Sequence, residues 1–467
     1  MRKRNVEYTV KHDLCLGCGV CSDACPTHSI VMRVMRGEWR PQINSSTCLN
    51  EKGCNKCYKV CSGVGLDIKK YAGELYSDAA CYDKYIGKYE QLYTGWSRNL
   101  EIRRSANSGG LVSSILIYLL QNKYIDGAVV THYASGYPLR TEAFIATTPE
   151  EILNSKGSKY APVQLSETLN RVILGGQKIA VVGLPCHIQS IRKWAKIDRR
   201  LEKVIFAYFS LYCSSERTYY AQDYLCRYFN INKNEIKNFS FRERGKLKFI
   251  GHDGNDILSS KGVEPPSYHK YYRLIGSHFK PNRCQMCVDH YGMLADLSFG
   301  DIGIAPYTQD KIGINSLIVR NPQFKEFINE AIKKGFVELA ELNPDLLNKS
   351  QGDMMFSRLQ KAKAPEVSET SMEGEAYASS ITLKAQIMKE NGLPVKECGV
   401  CWSTQTGTEP LENMRNKRYT KADKIENHNF TATISNLEDS TKYYVYAYAI
   451  NDLSLIHISE PTRPISI

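Results

Sequence analysis

Cysteine is the residue type with the most chemistry to offer in this chain. The 467 residues include 16 Cys, and eight of them fall between Cys15 and Cys61. The first run reads Cys15-x-x-Cys18-x-x-Cys21-x-x-x-Cys25-Pro26. The second reads Cys48-x5-Cys54-x-x-Cys57-x-x-x-Cys61-Ser62, with a longer first gap and no terminal Pro. Three thiolates two residues apart, on a Gly-bearing loop, reach three irons of one cubane. The fourth faces away and serves a second cubane. The spacing therefore predicts two [4Fe-4S] sites, one on Cys15, Cys18, Cys21 and Cys61, the other on Cys48, Cys54, Cys57 and Cys25. A pair of zinc sites is the alternative. Eight Cys without paired His, and the Cys-Pro ending, argue against it. Two such clusters make an electron wire that neither forms nor breaks substrate bonds, so a further redox centre is expected along the chain.

Four more thiols are candidates for that centre: Cys186, Cys213 and the pair Cys284-x-x-Cys287. The elements that must position them alternate between about residues 90 and 345. Residues 108–120 predict a helix opened by a Gly-rich turn, 126–132 a strand, and 149–153 a helix with Pro in its first turn. Residues 177–182 and 203–212 predict two more strands. This alternation is that of an α/β core. Cys186 and Cys213 fall just past the C-terminal ends of two strands, the edge at which open α/β sheets bind ligands. Spacing alone leaves three readings of these four thiols: a third [4Fe-4S] cluster, a zinc site, or buried packing residues. Cys81 and Cys226 have no partner by spacing and read as packing residues. His187 reads as structural or as a hydrogen-bond donor beside Cys186.

Several short stretches occur together and in order. They are Arg104-Ser-Ala-Asn-Ser108-Gly109-Gly110, Lys156-Gly157-Ser158-Lys159-Tyr160, Val182-Gly183-Leu-Pro185-Cys186-His-Ile-Gln, Tyr212-Cys213-Ser, Ala295-Asp296-Leu-Ser-Phe-Gly300-Asp301 after the Cys284/Cys287 pair, and Asn315-Ser-Leu-Ile-Val319. Over residues 1–365 the chain resembles the coenzyme F-420 hydrogenase/dehydrogenase beta subunit family, many members of which carry an N-terminal two-cluster ferredoxin module. The resemblance implies a flavin, FAD or FMN, in the α/β domain. It also implies a [4Fe-4S] cluster on Cys186, Cys213, Cys284 and Cys287. By resemblance Ser108, Gly109, Gly110, Lys156, Gly157, Ser158 and Lys159 are candidate flavin contacts; Asp301 reads as a turn cap or as a further cofactor contact. A Gly-Gly turn opening a helix suits a phosphate, and two Lys would balance its charge. The implied activity is an iron–sulfur flavoprotein oxidoreductase of anaerobic metabolism. It passes electrons between a two-electron flavin and three one-electron clusters. No G-x-G-x-x-G is present, so a nicotinamide site is not expected.

The formal net charge is +12, which three clusters at about −2 each would reduce to about +6. The remaining positive charge suits an acidic carrier such as ferredoxin or flavodoxin. The other expected partner is a hydrogenase or dehydrogenase subunit. No basic run with interleaved aromatics points to nucleic acid. No apolar run is long enough for a membrane span, and the basic N-terminus lacks an apolar signal core. A cytoplasmic location follows from these absences as an expectation.

The composition changes after about residue 365. Alternating stretches at 380–388, 430–437 and 441–450 predict an antiparallel β-sandwich, and the region resembles a fibronectin type III-like module. Cys398 and Cys401 are three apart on one strand, so they are expected on opposite faces. The stretch 453–464 resembles translated sequencing-adapter DNA and reads as a non-native tail. The fold class expected is thus α+β / α/β multidomain. It comprises a ferredoxin-like domain at 1–80, an α/β flavin and [4Fe-4S] domain at 81–365, a partial β-sandwich at 366–452 and the tail at 453–467. Two rival readings remain: an electron-transfer subunit with no substrate of its own, and a surface-binding protein acting through the β module.

Overall fold

Eight strands build the central sheet: β3 (Gln91–Ser97), β4 (Gly127–Ala134), β5 (Tyr137–Ala146), β6 (Ile179–Gly183), β7 (Ile205–Leu211), β8 (Leu297–Asp301), β9 (Asn315–Val319) and β10 (Val337–Glu341). They follow a hairpin of β1 (Ile30–Met35) and β2 (Glu38–Ile43). The sheet order is β10-β3-β9-β8-β7-β6-β4-β5. The middle four, β8, β7, β6 and β4, run parallel, and antiparallel strands flank them on both sides. The structure is a computed structural model describing residues 4–243, 245–276, 278–361, 365–373, 379–390, 395–405, 414, 416, 418–451, 456–459 and 465–466. The chain divides into two units, Met1–Gly352 and Asp353–Ile467.

The parallel strands are apolar on both faces, as strands covered on both sides must be. Ala128, Val130 and Ala180 face a core with Leu116, Leu119, Phe324 and Ile328. Those residues lie on α2 (Leu111–Gln121) and α6 (Pro322–Lys333). The alternate residues Val129 and Val181 face a second core. There they meet Leu169 of α4 (Thr168–Gly175), and Ile188 and Ile191 of α5 (Pro185–Ala195). Val20, Val60 and Tyr71 of the cysteine-rich segment join the same core. Residues 1–80 therefore cover one face of the sheet, and the first unit has no break near residue 80. The helix at Pro149–Asn154 (α3) starts on a capping box between Thr148 and Glu151. The strand expected over 203–212 begins at Ile205, because 199–204 is helical and capped by Asp198.

The second unit opens with the end of the helix Pro344–Lys361, and the elements named after it are strands. β11 (Ser380–Lys389) pairs with β13 (Asn429–Ser435), and β12 (Val395–Ser403) with β14 (Lys442–Asn451), all antiparallel. Ile381, Leu383, Val400, Ile434 and Val445 pack together between the two sheets. Cys398 and Cys401 are both buried. Of the stretch expected as a tail, residues 453–455, 460–464 and 467 fall outside the described residues.

Candidate iron–sulfur and cofactor site

The eight N-terminal thiols gather in two groups. Cys18 is pushed up to about 12 by burial and then by the nearby charges of Cys61 and Cys15. Burial raises Cys21 too, with Cys18, Cys61, Cys15 and Cys57 adding to it. These are Cys15, Cys18, Cys21 and Cys61, three from the first run and the last of the second. Cys57, on a helical turn at Lys56–Val60 (α1), is raised to about 11 by burial and then by Cys25 and Cys54. Cys25, Cys48, Cys54 and Cys57 line one small cavity with Ile30 and Ile43. A thiol is stable as a thiolate in such burial only against positive charge, which iron supplies. Backbone N–H groups already aim at sulfur: Gly17 donates to Cys15 at 3.4 Å. Gly17 holds φ +69°, and a Cβ there would sit 2.7 Å from the Trp39 carbonyl. The loop can take this path only with glycine.

The module is fastened to the sheet. Leu165 N–H donates to the Cys18 carbonyl at 2.9 Å, and Asn170 N–H to Asp23 at 3.1 Å. Asp296, within the Ala295–Asp301 stretch, is a hub. Its Oδ1 accepts from Arg192 at 2.9 Å and from Tyr76 at 3.3 Å, and its Oδ2 from the Tyr208 N–H at 2.9 Å.

The second set of thiols lies at the C-terminal edge of the parallel strands. Cys186 is the second residue of α5, just past β6, and Cys213 is two residues past β7. The Cys186 thiol is driven well up by burial and then by Cys213, Glu216, Cys18 and Cys287. Cys284 is buried one helical step before Cys287, whose N–H reaches its carbonyl at 3.4 Å. Two bonds tie the loop after Cys287 to β7: Cys213 N–H to the His290 carbonyl at 3.0 Å, and His290 Nδ1 to the Cys213 carbonyl at 3.2 Å. His187 is structural. Its Nδ1 accepts from Leu184 N–H at 3.2 Å, and its Nε2 meets the Val163 carbonyl at 3.2 Å. Burial lowers it to about 4, so the ring is neutral. Cys226 is buried among apolar side chains such as Leu225 and Phe249, and Cys81 is half-buried.

The residues expected at a flavin lie at the same sheet edge. Register places Phe299 opposite Leu211, so Asp301 at the end of β8 and Cys213 just past β7 follow at matching depth. Ser108 donates to Asp301, and Arg242 pairs with the other carboxylate oxygen. Asn107, with its amide oriented to satisfy both groups, donates to the Arg242 carbonyl at 2.7 Å. It accepts from the Ser158 N–H at 2.6 Å and its hydroxyl at 2.9 Å. Gly110 takes φ +78° at the start of α2, and Gly157 takes φ +86°, where a Cβ would meet Asn107 Oδ1 at 3.8 Å. Two expected contacts are differently employed. A Cβ at Gly109 would lie 2.6 Å from the Gly95 carbonyl, so its glycine serves close packing on the sheet. Lys159 donates to the Ser155 and Lys156 carbonyls and closes α3, while Lys156 is exposed. Ser108, Ser158, Asn107 and Arg242 thus gather polar groups around Asp301, bonded to one another. Arg242 carries no motif, and Asn107 stands just before the Ser-Gly-Gly.

Comparison with known proteins matches three family descriptions. "Coenzyme F420 hydrogenase/dehydrogenase, beta subunit N-term" covers residues 92–170. Its "C terminus" counterpart covers 176–345, and "4Fe-4S binding domain" covers 8–31. The chain belongs to the coenzyme F420 hydrogenase/dehydrogenase beta subunit family. This is an iron–sulfur oxidoreductase family. Among its relatives, a coenzyme F420-dependent sulfite reductase of Methanocaldococcus jannaschii is 26% identical over 71% of this chain. The match covers 48% of that enzyme, so the chain spans about half its length. A coenzyme F420 hydrogenase subunit beta of Methanococcus voltae is 26% identical over 55% of this chain and 86% of its own length. A solved F420-reducing hydrogenase complex from Methanosarcina barkeri aligns with TM-score 0.48 and 23% identity, over 60% of this chain and 93% of that one. The second unit lies beyond all three family matches. Among the described residues no helix is long and apolar enough to cross a membrane.

Proposed function

We propose that this family member transfers electrons between a flavin at the Ser108/Asp301 edge and three [4Fe-4S] clusters. The observation that carries the proposal is an unbroken succession of thiols. Cys213 and Cys287 act on Cys186, and Cys186 is influenced by Cys18. Cys18 is influenced by Cys61 and Cys15, Cys21 by Cys57, and Cys57 by Cys25 and Cys54. Ten thiols thus form one series from the sheet edge into the N-terminal module.

When bound, a flavin exchanges two electrons with its substrate, and iron–sulfur clusters carry electrons singly. The chain's own part is to hold the groups in line and keep water away. Arg242, Ser108, Ser158 and Asn107 orient the cofactor's polar end. His290 fixes Cys213 against the Cys287 loop, and Asp296 locks the N-terminal module to the sheet. The relatives' names point to coenzyme F420 as the hydride carrier to test first. The hydrogenase-subunit relatives favour action beside a partner subunit.

Anaerobic purification tests the proposal. About twelve iron per chain plus bound flavin is the expected result. Eight iron without flavin would refute it.

A further inference from the structure

Helix α5 presents Cys186, Ser190 and Lys193 at steps of four and three, so they share one side. Each meets the cysteine-rich module or its thiols. Ser190 is fully buried, and its hydroxyl lies 3.6 Å from Cys18 Sγ. The same oxygen accepts the Ser62 N–H at 3.0 Å. Ser62 follows Cys61, so one hydroxyl touches both halves of the set Cys15, Cys18, Cys21 and Cys61. Lys193 adds an ammonium, donating to the Cys61 carbonyl at 2.5 Å and the Gly65 carbonyl at 3.3 Å.

The direction of the sulfur contact follows from counting hydrogens. A serine hydroxyl has one hydrogen and two lone pairs. Ser62 N–H occupies a lone pair, which leaves the hydrogen for sulfur. A cysteine that ligates iron is a thiolate with nothing to donate. Once Cys18 is a ligand, the bond runs from Ser190 O–H to Cys18 Sγ. Thr9 offers the contrast. Its hydroxyl is 3.9 Å from Cys61 Sγ, but its hydrogen goes to the Val6 carbonyl at 2.8 Å. A donor at a ligand sulfur favours the oxidation state with more negative charge, which is the reduced one. An ammonium beside the same ligands acts in the same direction.

We propose that Ser190, supported by Lys193, raises the reduction potential of the cluster on Cys15, Cys18, Cys21 and Cys61. Because Cys186 begins the same helix, this is also the cluster that faces the sheet-edge site. The helix that would hold one centre thereby tunes the next, and electrons leaving the centre held by Cys186 would meet an acceptor biased to take them. The inference rests on the three-cluster reading above.

The test is a redox titration of the full holoprotein, followed by electron paramagnetic resonance under anaerobic conditions. Ser190→Ala should keep its iron and shift one midpoint to lower potential. The expected loss of electron affinity is threefold to tenfold, tenfold being about 59 mV for a one-electron couple. Ser190→Thr, which keeps the hydroxyl, should restore the wild-type midpoint. Lys193→Met should shift the same midpoint in the same direction. Unchanged midpoints in Ser190→Ala with full iron overturn the proposal, as does a Ser190→Thr shift equal to that of Ala. Should Ser190→Ala lose iron, Lys193→Met decides: an unchanged midpoint overturns the proposal. Wild-type protein with about eight iron overturns the three-cluster reading instead, and the iron count alone distinguishes that outcome.

Discussion

Replacing Asp296 with Ala removes the carboxylate that joins the N-terminal module to the sheet. The side chains of Arg192 and Asp296 are 15% and 5% exposed and pair at 2.9 Å. Removing one partner of such a pair leaves a buried charge, a loss of about 3–5 kcal/mol. The Tyr208 N–H loses its acceptor as well, worth about 1 kcal/mol or more. Two features offset part of this. Arg192 keeps its bond to the Leu294 carbonyl at 3.1 Å and its place over the Tyr208 ring. It also borders a cavity of about 430 Å³, shared with Tyr208 and Asp296, through which water can reach the guanidinium. The net loss is therefore at the lower end, about 3–4 kcal/mol. At about 2 °C per kcal/mol for a unit of this size, Tm falls by about 6–8 °C. Asp296→Asn keeps an acceptor for Tyr208 but no charge for Arg192, and should lose about half as much. The assay is anaerobic thermal unfolding, read by tryptophan fluorescence and cluster absorbance together. A Tm for Asp296→Ala within about 1 °C of wild type would show that the hub carries no stability, and the reasoning fails.

Cluster ligation is testable by pairs of substitutions. Cys25→Ala and Cys25→Ala/Cys57→Ala should both retain about eight of about twelve iron, because the two residues serve one cluster, while Cys25→Ala/Cys21→Ala should retain about four; iron analysis reads this, and equal losses from both pairs refute the grouping. Arg242→Ala should weaken flavin retention at least tenfold with iron unchanged, whereas Lys159→Ala should change it less than twofold, since that ammonium is committed to the end of α3; flavin fluorescence after dialysis separates the two. Gly109→Ala forces a Cβ to 2.6 Å from the Gly95 carbonyl and 2.9 Å from Asn315 N. It should cost about 1–3 kcal/mol, measured as a lower urea midpoint; a midpoint equal to wild type would mean the turn can shift.

Much of the site was readable from the chain because its chemistry is local. The Cys-x-x-Cys spacings are set by the reach of consecutive loop residues, so the iron–sulfur character of the first run could be read from it directly. The apolar stretches at 177–182 and 126–132 announced strands buried on both faces, and Cys186 and Cys213 therefore fell at a predictable edge. Other features had no local signal. Nothing near Arg242 marks it as the partner of Asp301, which is 59 residues away in sequence. Lys159 has the residue type of a phosphate ligand, but four residues back the end of α3 offers free carbonyls, and these hold it. Gly109 has the residue type of a phosphate loop, yet the sheet backbone fills the space its missing Cβ leaves.

The sequence by itself determined where the thiols stand along the chain, the spacing that suits iron–sulfur ligation in the first eight, and the order of strands and helices that delivers the other four. Those properties depend on bonds and on neighbours a few residues apart. Only the tertiary structure decided that residues 1–80 pack as one face of the sheet, with Val20 and Val60 sharing a core with Ile188 and Ile191. It also decided that Ser190, 172 residues from Cys18, places a hydroxyl at its sulfur. Contacts of that kind arise where burial of apolar surface brings distant segments together. No pattern within either segment encodes them.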